Sequence, residues 1–134
     1  MKDIKNEELE LLGRGGYKTL KVAAEYLIKL RKMPEYDANL LIFKKSDKGK
    51  TLEGLENTER RIQNTANWTS DGLQKALEAI VEDKGLTNGD VFWPVRVALS
   101  GEEKSPSPVE LLVVLGKEES LARLKKAIEK LQNF

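Results

Sequence analysis

The stretch Gly89-Asp90-Val91-Phe92-Trp93-Pro94-Val95-Arg96-Val97-Ala98-Leu99-Ser100-Gly101, followed by Ser105-Pro106-Ser107-Pro108 and Val114-Leu115-Gly116-Lys117-Glu118, decides how this chain folds. Thr87-Asn88-Gly89-Asp90 starts the segment, and Pro94 near its beginning suits a first helical turn, where a missing N–H leaves no bond unmade. Gly101 closes it. Ser107-Pro108-Val109-Glu110 has the order of a capping box: Ser at the cap, Pro at the first position, Glu at the third. Val109 to Leu115 therefore reads as a short helix ending at Gly116, despite its β-branched residues. Lys117-Glu118-Glu119 opens a last helix with Leu121, Leu124, Ile128 and Leu131 on one face.

The same punctuation continues upstream. Thr69 or Ser70 caps a helix carrying Leu73, Leu77, Ile80 and Val81, and Gly85 is placed to close it in the left-handed conformation. Leu52, Leu55, Glu59 and Ile62 form a narrow helical stripe that ends near Asn64. Lys44 to Lys50 reads as a solvated, charged connector, and Leu40 to Phe43 as a short buried helix whose composition also suits a strand. Leu20, Ala23, Ala24, Leu27 and Leu30 repeat with helical spacing until Pro34 stops the run. Glu7 to Leu12 is short and amphipathic, and it breaks at Gly13-Arg14-Gly15-Gly16. The expected fold is all-α: a multihelical bundle of short helices in two packed subdomains, 1–66 and 67–134, joined near Asn64 to Trp68.

Composition narrows the function. The chain has 134 residues, no Cys and no His. Thiol chemistry, disulfides and the usual Ser–His and Cys–His triads are thereby absent, as is the commonest metal ligand. The cysteine-free composition, and the lack of any apolar run near the ~20 residues of a membrane span, lead us to expect a cytoplasmic chain with no membrane partner. With 23 basic and 22 acidic side chains the net charge is +1. Phosphate neutralisation supplies most of the affinity of nucleic-acid binders, so any RNA binding here must be local or weak.

The quoted stretch resembles the C-terminal anticodon-binding region of bacterial-type glutamyl-tRNA synthetases, which are class I enzymes. There a segment G-x-V-x-x-P-x-R-x-A-L-[ST]-G leads into a Pro-containing loop and then an LGKE turn. The likeness is strongest from Trp68 to Leu131 and weaker over Tyr36-Asp37-x-x-Leu40-Leu41 and around Leu55. It implies tRNA recognition without catalysis by this chain, which carries neither the His-containing ATP signature nor a KMSKS-like loop. ATP and magnesium would belong to the catalytic region of a synthetase, acting in cis or in trans, and the chain itself calls for no cofactor. The implied partner is the tRNA for glutamate, extending to that for glutamine. The chain is then either an excised domain or one encoded alone. The alternative is a helical protein-interaction module that keeps the fold without binding RNA, which the near-zero net charge favours.

Three places carry the expected RNA contacts. Arg96 offers a planar fork for bidentate bonds, and the resemblance sets this Arg beside the anticodon loop. The competing role is to lock two helices through carbonyls or a carboxylate such as Glu110. Lys104, Ser105, Pro106 and Pro108 form a rigid loop ahead of a helix N-terminus, whose unpaired N–H groups can donate to phosphate or base acceptors. In similar synthetases it lies against unstacked bases; otherwise it is only a helix-starting turn. Gly13 to Leu20 lacks the spacing of a nucleotide loop. In the resembling enzymes an Arg near an aromatic-x-Thr-Leu start reads the third anticodon base. Laid onto Tyr17-Lys18-Thr19-Leu20, that Arg falls at or next to Gly16, with Arg14 two positions away. Its loss fits relaxed discrimination between glutamate and glutamine anticodons, while the plain alternative is a hinge. Tyr17 is the best candidate for base stacking; Trp68, Phe92 and Trp93 are read as core.

Overall fold

The computed structural model describes residues 20–134, with side chains from residue 24 onward. Six α-helices and one 3-10 turn make up the described part, which contains no strand. They are α1 (Leu20–Leu30), the turn Ala38–Leu41, α2 (Lys48–Gln63), α3 (Ser70–Lys84), α4 (Asn88–Ser100), α5 (Pro108–Leu115) and α6 (Lys117–Gln132). The all-α expectation holds. The segment read as Glu7 to Leu12 lies outside the described residues, as do Arg14, Gly16 and Tyr17.

Most helix ends fall where local chemistry put them. The Thr69 hydroxyl accepts the Gly72 N–H at 3.1 Å, and Gly85 ends α3 with φ 65°. Ser107 accepts from Glu110 N–H at 3.2 Å with Pro108 at the first position of α5. Gly101 closes α4 with φ 75°; a Cβ there would also sit 2.7 Å from Pro34 Cβ.

Two expectations need correction and a third is refined. The connector beginning at Lys44 is shorter than expected, because Asp47 accepts the Lys50 N–H at 2.8 Å and starts α2 at Lys48. The apolar run at Leu40 is a short helix with Leu41 buried, as read, but of the 3-10 type and ending at Leu41, with the chain extended from Ile42. Pro94 is the seventh residue of α4, well past its first turn. The helix starts earlier, at Asn88, and Asp90 returns its carboxylate to the Thr87 N–H at 2.9 Å.

Pro94 has no N–H to give the Asp90 carbonyl four residues back. That carbonyl faces α2 at Gly54, where an added Cβ would come within 2.0 Å of the Asp90 oxygen. α2 therefore crosses α4 with backbone against backbone. α2 packs most extensively on α6 and α4, and α3, α5 and the 3-10 turn complete the cover. Leu41, Leu55, Ile62, Leu73, Leu77, Leu99, Leu111 and Leu131 are fully buried in one continuous core. Each such side chain contributes about 1.5–3 kcal/mol. That core joins residues from both sides of Asn64 to Trp68.

Two indoles tie loops to this core. Trp93 Nε1 donates to Leu40 O at 2.9 Å, and its ring meets Phe43 edge-on at 5.2 Å. Trp68 Nε1 donates to Leu112 O at 2.9 Å. Phe92 is half-buried against the core as well.

Candidate nucleic-acid interface

Arg96 lies on α4, one turn before its C-terminus, and the loop 101–107 leaves from that same end. Val95, Val97, Ala98 and Leu99 are buried around it, so the apolar face of α4 fixes where its stem emerges. Among the described residues the guanidinium makes no hydrogen bond or ion pair, and its Nε is buried without a partner. The helix-locking role is thus unfilled. Glu110, the carboxylate named for it, accepts from the Ser107 hydroxyl on Oε1 at 3.2 Å, and its Oε2 is buried and unpartnered. A buried donor or acceptor without a partner costs about 1–3 kcal/mol. Such a group is met by an ordered water or ion, by strain, or by a ligand.

The residues of the loop divide. Lys104 is exposed and Ser105 half-buried, whereas Pro106 and Pro108 are buried. Pro108 begins α5 and Pro106 braces the loop from within, so its accessible polar groups are those of Glu102, Glu103, Lys104 and Ser105, with Glu102 paired to Lys29 at 2.8 Å. Ser105 Oγ donates to the Pro106 carbonyl at 3.1 Å.

A buried Arg that sequence reading missed holds this end of the molecule. Arg123 on α6 is 1% exposed. Its Nε donates to Glu119 at 2.8 Å, Nη1 to Leu99 O at 2.6 Å, and Nη2 to Leu30 O at 2.6 Å and Lys32 O at 3.3 Å. Leu30 and Leu99 stand in the last turns of α1 and α4, where carbonyls lack helical partners and the dipole favours a cation. Arg123 thereby fixes the α4 end from which Arg96 and the loop project.

Among the described residues, no group of acidic, His or Cys side chains could hold a metal ion. No helix there is long and apolar enough to cross a membrane.

An anticodon binding domain family model matches residues 9–128. The chain belongs to the anticodon-binding domain family. Curated relatives of this anticodon-binding domain include the glutamate–tRNA ligase of Clostridium novyi (strain NT), 39% identical over 106 residues, a match covering 77% of the chain and 22% of the ligase. The ligase of Herpetosiphon aurantiacus is 40% identical over 92 residues, covering 69% and 19%. Among solved structures, the crystal structure of a glutamate tRNA ligase from Elizabethkingia meningosepticum, in complex with its amino acid, superposes with a TM-score of 0.77. The identity there is 25%, over 96% of this chain and 26% of that one. The domain thus spans about a fifth to a quarter of the length of these relatives.

Proposed function

We propose that this domain recognises the anticodon loop of the tRNA for glutamate, as the C-terminal part of a glutamate–tRNA ligase, and performs no bond chemistry itself. Glutamate activation with ATP and magnesium belongs to a catalytic region, in cis or in trans, and the setting is cytoplasmic. The observation that carries this reading is the unengaged Arg96 guanidinium at the α4 end from which the Lys104–Ser105 loop leaves. Arg96 supplies bidentate donors to a base edge, Ser105 a hydroxyl, and Lys104 a phosphate contact. Pro106 and Pro108 set the loop's shape.

A binding titration of an anticodon stem-loop separates these roles. Arg96→Ala is expected to weaken binding by about 1–3 kcal/mol in an anticodon-dependent way. Lys104→Ala should weaken every stem-loop alike and lower the salt slope by about 1. Equal, anticodon-independent losses in both variants would contradict the base-reading role of Arg96. No binding at low salt, with the helical fold intact, would favour the protein-interaction alternative.

A finer element of the proposal concerns Gly16, with Arg14 and Tyr17 beside it. With Gly16 where the discriminating Arg would stand, stem-loops with glutamate and glutamine anticodons should bind within a few-fold of each other. Gly16→Arg should open a preference for the glutamate version. A strong wild-type preference would refute the relaxed reading while leaving anticodon recognition standing.

A further inference from the structure

The outer faces of α2 and α3 enclose a groove of about 750 Å³ whose charge is one-sided. Arg60, Arg61, Lys75 and Lys84 line it against the single carboxylate of Asp83. The chain as a whole is nearly balanced, with 23 basic and 22 acidic side chains, so this convergence is a local concentration of positive charge.

We propose that this groove is a docking surface for the phosphodiester backbone of RNA, separate from the residues assigned to the anticodon bases. The proposal rests on the RNA-binding reading above and extends it to a second contact region.

Helix ends account for the sign of three of these cations. Arg60 and Arg61 stand in the last turn of α2 and Lys84 in the last turn of α3, where positive charge complements the dipole. They do not account for convergence with Lys75 on one concave surface. Only Arg61 has a carboxylate within the groove, bonding Asp83 at 3.3 Å with both side chains well exposed. Lys75 reaches Asp71, outside the lining, in a pair whose partners are 73% and 82% exposed. A pair so exposed is cheaply exchanged for a phosphate. Among the described residues the Lys84 side chain has no ion pair or hydrogen bond, and the Arg60 guanidinium makes only one long contact, to Asn57 at 3.4 Å.

The floor suits a close approach. Ala76 and Ala79 are small and add little bulk to the lining between the cations. By contrast, a second cleft of about 780 Å³, lined by Tyr36, Phe43 and Trp93, carries Glu35, Asp37 and Glu103 against Lys44. That lining is net acidic, and its Glu103 comes from the same loop as Lys104.

The test is the salt dependence of binding between the 134-residue chain and a tRNA anticodon stem-loop, and then the full tRNA. Deleting one phosphate-neutralising cation should reduce the slope of log K against log salt by about 0.9, so the double variant R60A/K84A should lower it by about 2. The reduction should be the same for matched and unrelated anticodons. Asp83→Asn should strengthen binding, an effect that a damaged fold would not produce. Circular dichroism and thermal midpoints check that the variants fold. A wild-type slope for both RNAs in R60A/K84A, with Arg96→Ala still weakening binding, overturns this proposal alone. Failure of the wild type to bind either RNA overturns it together with the anticodon reading. Unchanged RNA slopes with groove-dependent binding of poly-L-glutamate would overturn the RNA assignment and give the surface to an acidic protein segment.

Discussion

Arg123 is the side chain on which the ends of α1 and α4 converge. Its full burial is tolerated because carbonyls of Leu30, Lys32 and Leu99 and the Glu119 carboxylate take up its donors. Arg123→Met keeps much of the volume and deletes those bonds, leaving buried carbonyls without partners. Chemical denaturation should show a loss of about 3 kcal/mol. A loss below about 1 kcal/mol would mean that the carbonyls find other partners. Asp90 gives a pH-dependent prediction. Burial pushes its carboxyl up, but bonds from the Ser46 hydroxyl and from the backbone N–H and hydroxyl of Thr87, with the charge of Lys50, outweigh it. The carboxyl titrates below its ordinary 3.8. A depressed folded-state value stabilises the fold above the unfolded value, and that stability is lost as pH falls through the folded one. Asp90→Asn should therefore be less stable than wild type at pH 7, and the gap should close below about pH 4. A gap independent of pH would assign the loss to shape alone. The sequence made Asp90 visible only as one of the residues that start the motif segment, and Arg123 not at all. The buried face of α6 is Ser120, Arg123, Leu124, Ala127 and Leu131, whereas Leu121 and Ile128 are half-buried. Hydrophobic spacing finds the greasiest stripe, and here three carbonyls rotate the packed face toward a cation.

At the scale of elements, the crossing of α2 and α4 depends on Gly54. A Cβ there would meet the Asp90 carbonyl, which is backbone and has little room to move. Gly54→Ala should cost at least about 2 kcal/mol, although alanine is the better helix former. Gly49→Ala, in the first turn of the same helix, meets only Asp47 Oδ1 at 3.4 Å and should be neutral or slightly stabilising. Similar melting temperatures for the two variants would contradict the close approach at Gly54. The caps at Thr69 and Ser107 and the stops at Gly85 and Gly101 were legible because each is decided within a few residues. The position of Pro94 was not. A proline inside a helix is tolerated when the freed carbonyl has a tertiary setting, and that setting comes from a helix some forty residues earlier in the chain. The start of α2 was hidden for a related reason: Asp47 lies within a run of charges that resembles a solvated loop.

For the whole molecule, near-neutral charge and RNA binding are compatible if the charge is unevenly placed. Arg96 and Lys104 mark one region and the α2–α3 groove another, while carboxylates gather at the Tyr36–Phe43–Trp93 cleft. The family was legible from the Gly89 to Gly101 motif and the LGKE turn, and the match over residues 9–128 agrees with it. The basic groove was not legible, because its four cations lie on two helices and meet only after folding. The central claim is that this fold reads an anticodon. It is tested most directly by measuring, at one fixed low salt concentration, the fluorescence anisotropy of two labelled stem-loops titrated with the wild-type chain. They share a stem and loop length and differ only in carrying the glutamate anticodon or an unrelated one. The account predicts a preference of about tenfold or more for the glutamate loop, the equivalent of one or more base-edge contacts. Equal affinity for the two loops would contradict it.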